Sequence, residues 1–169
     1  MKKSITMGPY VFLDSTDTEA KRELRIDIRN NSWFKTHFSV TAIITGQRNP
    51  WWDAKMTAMR AGAFTVPWTD APSVRREIEP GRSASLTFAE LLPYGETNVS
   101  TISIVRFSRD IAKAAFINER VDGATPPEWD VTIAVHRYWK RWRWVALTQK
   151  FTLIGDVVNG KPSARLEPR

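Results

Sequence analysis

The chain has 169 residues, 42% of them apolar, and no cysteine. That length suits one domain burying roughly two-thirds of its unfolded surface, and the missing thiols exclude disulfides, thiolate zinc sites and cysteine nucleophiles. A formal net charge of +7 and a pI of about 10.0 favour association with anionic partners: nucleic acid, a membrane surface or an acidic protein.

Met1-Lys2-Lys3 opens like a signal peptide, but no sufficient apolar run follows. No stretch approaches the roughly 18–20 apolar residues of a membrane span. The expectation is a soluble, unexported, cytoplasmic chain, and the lack of cysteine suits a reducing compartment. Residues 10–13 form a short apolar strand behind Gly8-Pro9. Asp14, Asp17 and Glu19 follow as a small acidic group. Calcium takes about six or more oxygens, so the group reads as a solvated turn.

Leu24-Arg25-Ile26-Asp27-Ile28-Arg29 alternates apolar and charged residues, the period of a strand with one face on a core and the other in water. Asn30-Asn31-Ser32 marks a chain reversal, and residues 38–45 are expected to be the hairpin partner. Residues 47–63, with Trp51-Trp52 after Pro50, read as an insertion holding a turn or two of helix. Strands are predicted over 64–68 and 74–78, and Glu79-Pro80-Gly81 is a turn. Further strands are predicted over 83–88 and 98–107, on the alternation of Ala84, Leu86 and Phe88 and of Ile102 and Ile104.

Residues 108–128 read as a second insertion, with 111–116 helical. The longest predicted strands, 129–139 and 142–154, join at Lys140-Arg141. Asn159-Gly160 is a strong hairpin signal that folds 161–166 back along the preceding strand. The fold expected is all-β: an immunoglobulin-like antiparallel β-sandwich in a single domain over 1–169, with two partly helical insertions near 47–63 and 108–128.

The segments Leu24 to Asn31, Val40 to Ile44, Val66-Pro67-Trp68, Ile78-Glu79-Pro80-Gly81 and Trp129 to Val135 together resemble a diffuse class of bacterial immunoglobulin-like domains. In that class a strand ending in a polar Asn turn is followed by a Pro-x-Trp strand and an Ile-x-Pro-Gly turn. The resemblance covers about 20–92 and 128–154. It implies the sandwich fold and brings no activity or catalytic residue with it.

The sharpest cluster of chemistry is His136-Arg137-Tyr138-Trp139-Lys140-Arg141-Trp142-Arg143-Trp144. No acidic residue occurs from Val131 to Gly155. Rings interleaved with cations suit single-stranded nucleic acid, whose bases stack for about 1–3 kcal/mol each. The same mixture suits an acidic protein, since Trp, Tyr and Arg dominate interface energetics. A plain hairpin with a Trp139–Trp142 cross-strand pair and a charged face also accounts for it. Trp51 and Trp52 are a secondary candidate for stacking on a sugar, a base or a partner, or for plugging one end of the sandwich. Trp33-Phe34 carries the same ambiguity.

Only His37 and His136 are available to a metal, and zinc normally needs several His or Cys ligands, so no metal and no cofactor are expected. No Gly-x-Ser-x-Gly, glycine-rich phosphate loop or His-Glu-x-x-His is present, and Glu128 with Asp130 is a commonplace pair on one side of a strand. The function expected is a non-enzymatic module binding another protein, or a second copy of itself, through Arg137, Trp139, Lys140, Arg141, Trp142, Arg143 and Trp144. The alternatives are single-stranded nucleic-acid binding by the same face, and carbohydrate binding by Trp51 and Trp52.

Overall fold

The computed structural model describes residues 4–14, 22–48, 62–71, 73–94, 99–109, 112–121, 126–158 and 161–169. They form β1 (Ile5–Asp14), β2 (Arg22–Asn30), β3 (Thr36–Arg48), β4 (Phe64–Thr65), β5 (Arg76–Ile78), β6 (Ser83–Tyr94), β7 (Val99–Ser108), β8 (Ala112–Val121), β9 (Glu128–Trp139), β10 (Trp142–Val158) and β11 (Lys161–Pro168). One antiparallel sheet has five strands in the order β1-β2-β6-β7-β8. The other has six, ordered β11-β10-β9-β3-β4, with β5 also paired to β3.

Alternation decides which side of each strand enters the core. Leu24, Ile26 and Ile28 of β2 are buried, while Arg25, Asp27 and Arg29 lie on the other face. On β9, Trp129, Val131, Ile133 and Val135 are buried and face Phe151 and Leu153 of β10 and Val40 and Ala42 of β3. On β6 the buried positions shift from Leu86 to Ala89 and Leu91. A bulge opposite Leu24 and Arg25 adds one residue and turns the strand over. Both sheets feed one hydrophobic cluster, with Trp68 and Trp129 its largest fully buried side chains.

Residues 64–69 tie the sheets together. Val66 N–H donates to the Val40 carbonyl of one sheet at 2.9 Å, and Thr69 N–H to the Ser85 carbonyl of the other at 2.9 Å. Trp68, between them, bridges to Leu86.

Two expectations are corrected. Among the described residues the chain contains no helix, and the second insertion is extended where a helix was expected. Residues 112–121 form β8, paired with β7 from Ser108↔Ala112 to Ser100↔Val121. Ala112, Lys113, Ala114 and Ala115 favour helix intrinsically, but a ladder of backbone hydrogen bonds to β7 outweighs a preference of a few tenths of a kcal/mol per residue. In the first insertion, Gln47 and Arg48 extend β3, and the residues expected to be helical lie outside the described ones. The immunoglobulin expectation is corrected with this. A constant-type immunoglobulin sheet has four strands ordered A-B-E-D, whereas this sheet has five and its last three, β6-β7-β8, are consecutive in the chain.

The second correction concerns β2 and β3, which are not a hairpin pair. β2 pairs with β1 and β6, β3 with β9, β4 and β5, and residues 31–35 carry the chain from one sheet to the other. The expected reversal at Lys140-Arg141 is present, with Trp142 opposite Trp139. So is the return of β11 along β10, from Val158↔Lys161 to Phe151↔Pro168. Among the described residues no helix is long and apolar enough to cross a membrane.

Candidate functional site

The β9–β10 hairpin reverses through Lys140 and Arg141. Lys140 has φ 54°, a left-handed conformation at the first central position that glycine adopts most easily. Facing pairs Trp139–Trp142 and Arg137–Trp144 continue the inner, core-side row of β9. That row is buried from Trp129 to Val135, but at the hairpin tip it outruns its cover: Trp139 is 56%, Trp142 68% and Trp144 44% exposed. Residues that would be core in the middle of the sheet become surface at its end.

The outer row runs the other way. His136 and Tyr138 sit on the solvent face yet are buried. Tyr138 is covered by the Arg75 guanidinium, 4.0 Å from its ring centroid, and its hydroxyl lies 2.9 Å from Ser39 Oγ. His136 Nε2 lies 2.8 Å from Thr41 Oγ1 and 3.1 Å from Arg143 Nη2. Guanidinium can only donate, so Nε2 accepts and the ring proton sits on Nδ1. Burial, then the Arg143 charge, holds His136 below the usual histidine pKa.

Arg137 is a tether. Its Nη2 donates to Ser32 Oγ at 3.2 Å and Thr36 Oγ1 at 3.3 Å, and its guanidinium lies 6.0 Å from the Trp144 ring centroid. It therefore fastens the 31–35 turn to the hairpin, bringing 92%-exposed Trp33 and exposed Phe34 to the same end of the sandwich.

That turn is built on Asn30, which is fully buried. Asn30 Nδ2 donates to the Phe34 and Ile78 carbonyls at 2.8 Å each, and Oδ1 accepts from Ser32 N–H at 3.0 Å and Ser32 Oγ–H at 2.6 Å. Asn30 N–H also donates to the Arg82 carbonyl, and its own carbonyl accepts from Gly81 N–H. Gly81 has φ 73°, as the predicted turn requires. Beside these, His37, Ser73, Arg75, Tyr138 and Lys140 line an open cleft of about 530 Å³.

Of the residues singled out from sequence, the structure groups Arg137, Trp139, Lys140, Arg141, Trp142, Arg143 and Trp144 at one end. Arg137 and Arg143 are engaged within the fold, by Ser32 and Thr36 and by His136 respectively. Lys140 and Arg141 are exposed. Trp51 and Trp52 lie outside the described residues, as do Asp17 and Glu19 of the acidic group. Glu128 and Asp130 are held in ion pairs. Arg48 meets Glu128 at 2.7 Å and Asp130 at 2.9 Å, and Arg169 meets Asp130 at 2.8 Å.

Sequence reasoning missed the contribution of Arg75, His37 and Val74. Only the pairing of β3 with β5 and β9 brings them to the hairpin, and no local pattern announces it. Comparison with family models, curated proteins and solved structures finds no match to this chain.

Proposed function

We propose that this end of the sandwich is a contact surface for an acidic protein partner and that the chain works as a non-enzymatic binding module. One observation carries the reading. Of eight exposed large apolar side chains among the described residues, seven (Trp33, Phe34, Val74, Trp139, Trp142, Trp144 and Val145) lie on the hairpin, the 31–35 turn and the segment before β5. A monomer that scatters such residues singly needs no explanation, whereas a cluster at one end marks a surface meant to be covered. Exposed Lys140 and Arg141 and an acid-free stretch from Val131 to Gly155 set the sign of the partner. The missing cysteines fit a reducing, cytoplasmic setting.

The test is selection of displayed random peptides on the full chain against the double variant Trp142→Ala, Trp144→Ala. Enrichment of acidic, apolar-rich sequences on the parent alone supports the reading, and equal enrichment on both overturns it.

A second reading, single-stranded nucleic acid, is favoured by Trp142 and Trp144 interleaved with Arg141 and Arg143. Labelled oligothymidine titrated at about 50 and about 200 mM salt separates the two. Nucleic-acid binding loses affinity with a log–log slope of about −0.7 per phosphate neutralised.

A further inference from the structure

β10 is longer than the strand that covers its outer edge. β11 pairs with it only from Phe151 to Val158, and Arg169 N–H donates to the Lys150 carbonyl at 2.9 Å. From Trp142 to Gln149 the other edge is paired to β9, while among the described residues no strand pairs with the outer edge. Backbone groups point alternately to the two edges. The Lys150 carbonyl faces outward, and the β9 register is unbroken from Leu147 to Ile154, so the backbone N–H of Thr148 faces outward too.

Resting on the reading that this end is a protein contact, we infer that the open Trp142–Gln149 edge receives an extended acidic segment of the partner as an added antiparallel or parallel strand. The two faces of the edge specify that segment. On the outer face, opposite Tyr138, His136, Ala134 and Thr132 of β9, stand Arg143, Val145, Thr148 and Lys150, its only charges being positive; on the inner face stand Trp142, Trp144, Leu147 and Gln149. A strand laid along this edge meets cations on one side and apolar rings on the other. The complement alternates carboxylate and apolar residues, the side-chain period of a strand being two.

Charge also argues against a second copy as the occupant. Residues 140–150 carry only positive charge, so edge-to-edge pairing of two copies sets like charges opposite each other. The bulge between Val145 and Leu147 and the arginine guard against the same pairing. An oppositely charged strand does not meet the charge obstacle.

The probe is a fluorescein-labelled peptide of about ten residues alternating glutamate and valine, followed by anisotropy with the full chain. Strand addition requires that the peptide binds and that methylating alternate peptide amides, a change that leaves the protein untouched, weakens it by about tenfold or more. Thr148→Pro deletes the outward N–H without removing a bond to β9, and should weaken binding similarly. The lysine–valine counterpart should not bind. Binding that survives both methylation and Thr148→Pro but disappears in Trp142→Ala, Trp144→Ala overturns strand addition and leaves the aromatic contact surface standing. Failure of the glutamate–valine peptide to bind at millimolar concentration overturns strand addition, and the display selection then judges the surface independently.

Discussion

Replacing Asn30 by alanine removes the joint between the candidate site and the fold. The side chain makes four hydrogen bonds from a fully buried position. Its orientation is fixed, because both atoms beyond Nδ2 are carbonyl oxygens. In Asn30→Ala the Ile78 carbonyl is left in buried surroundings, a cost of about 1–3 kcal/mol. The Phe34 carbonyl keeps Ser32 Oγ at 3.0 Å and Thr36 Oγ1 at 3.3 Å, and the Ser32 N–H is only part-buried, so these add little. The expected loss is therefore about 1–3 kcal/mol, a substantial share of the roughly 5–15 kcal/mol that holds a domain folded.

Urea unfolding at constant m measures this loss. Asn30→Asp sharpens the test, because a carboxylate would face the Phe34 and Ile78 carbonyls and its folded-state pKa would rise. The protonated form is then the better tolerated, so the loss at about pH 7 is partly restored as the pH falls toward about 4. A loss below about 1 kcal/mol for Asn30→Ala, or pH-independent behaviour of Asn30→Asp, refutes the view that this amide anchors the turn.

Lys140→Gly relieves a left-handed non-glycine residue worth about 1–2 kcal/mol, partly offset by the greater freedom of glycine in the unfolded chain, so the urea midpoint should rise by the equivalent of about 0.5–1 kcal/mol. His136 has a lowered folded-state pKa, so its stabilising contribution is complete above the ordinary histidine pKa and is lost as the pH falls from there through the folded value; stability measured from about pH 8 to about pH 5 should show this slope in the parent and not in His136→Gln. Asp130 is held below the usual carboxylate range by hydrogen bonds from Arg48, and its contribution, present above the ordinary aspartate pKa, is lost as acid titrates the folded carboxylate; Asp130→Asn should flatten that acid limb of the stability curve.

Much of the architecture is legible because it is written locally. Leu24, Ile26 and Ile28 reveal the inner face of β2, and Trp139 and Trp142 bracket their own turn. What is not local is not legible. Period-two alternation gives the face of β3 but not its neighbours, so its place in the other sheet, beside β9, was out of reach. The composition of β8 points to helix, and only its pairing with β7 makes it a strand.

The candidate site divides in the same way. The Trp139–Trp144 cluster stands out in the chain, while its union with Trp33 and Phe34 depends on Arg137 reaching Ser32 across 105 positions. Sequence offered Arg137 and Arg143 as partner contacts, and the structure adds a bond within the fold for each, to Ser32 and to His136. No local pattern announces those internal bonds, because Ser32 is far from Arg137 in the chain.

The decisive measurement sets stability against binding in the double variant Trp142→Ala, Trp144→Ala, using a peptide enriched on the parent chain. Both side chains are solvent-exposed, so a contact surface requires a urea midpoint close to the parent's together with affinity weakened by about tenfold or more. Unchanged affinity, or a midpoint lowered by the equivalent of about 2 kcal/mol or more, would instead make the rings part of the fold and contradict the interaction surface.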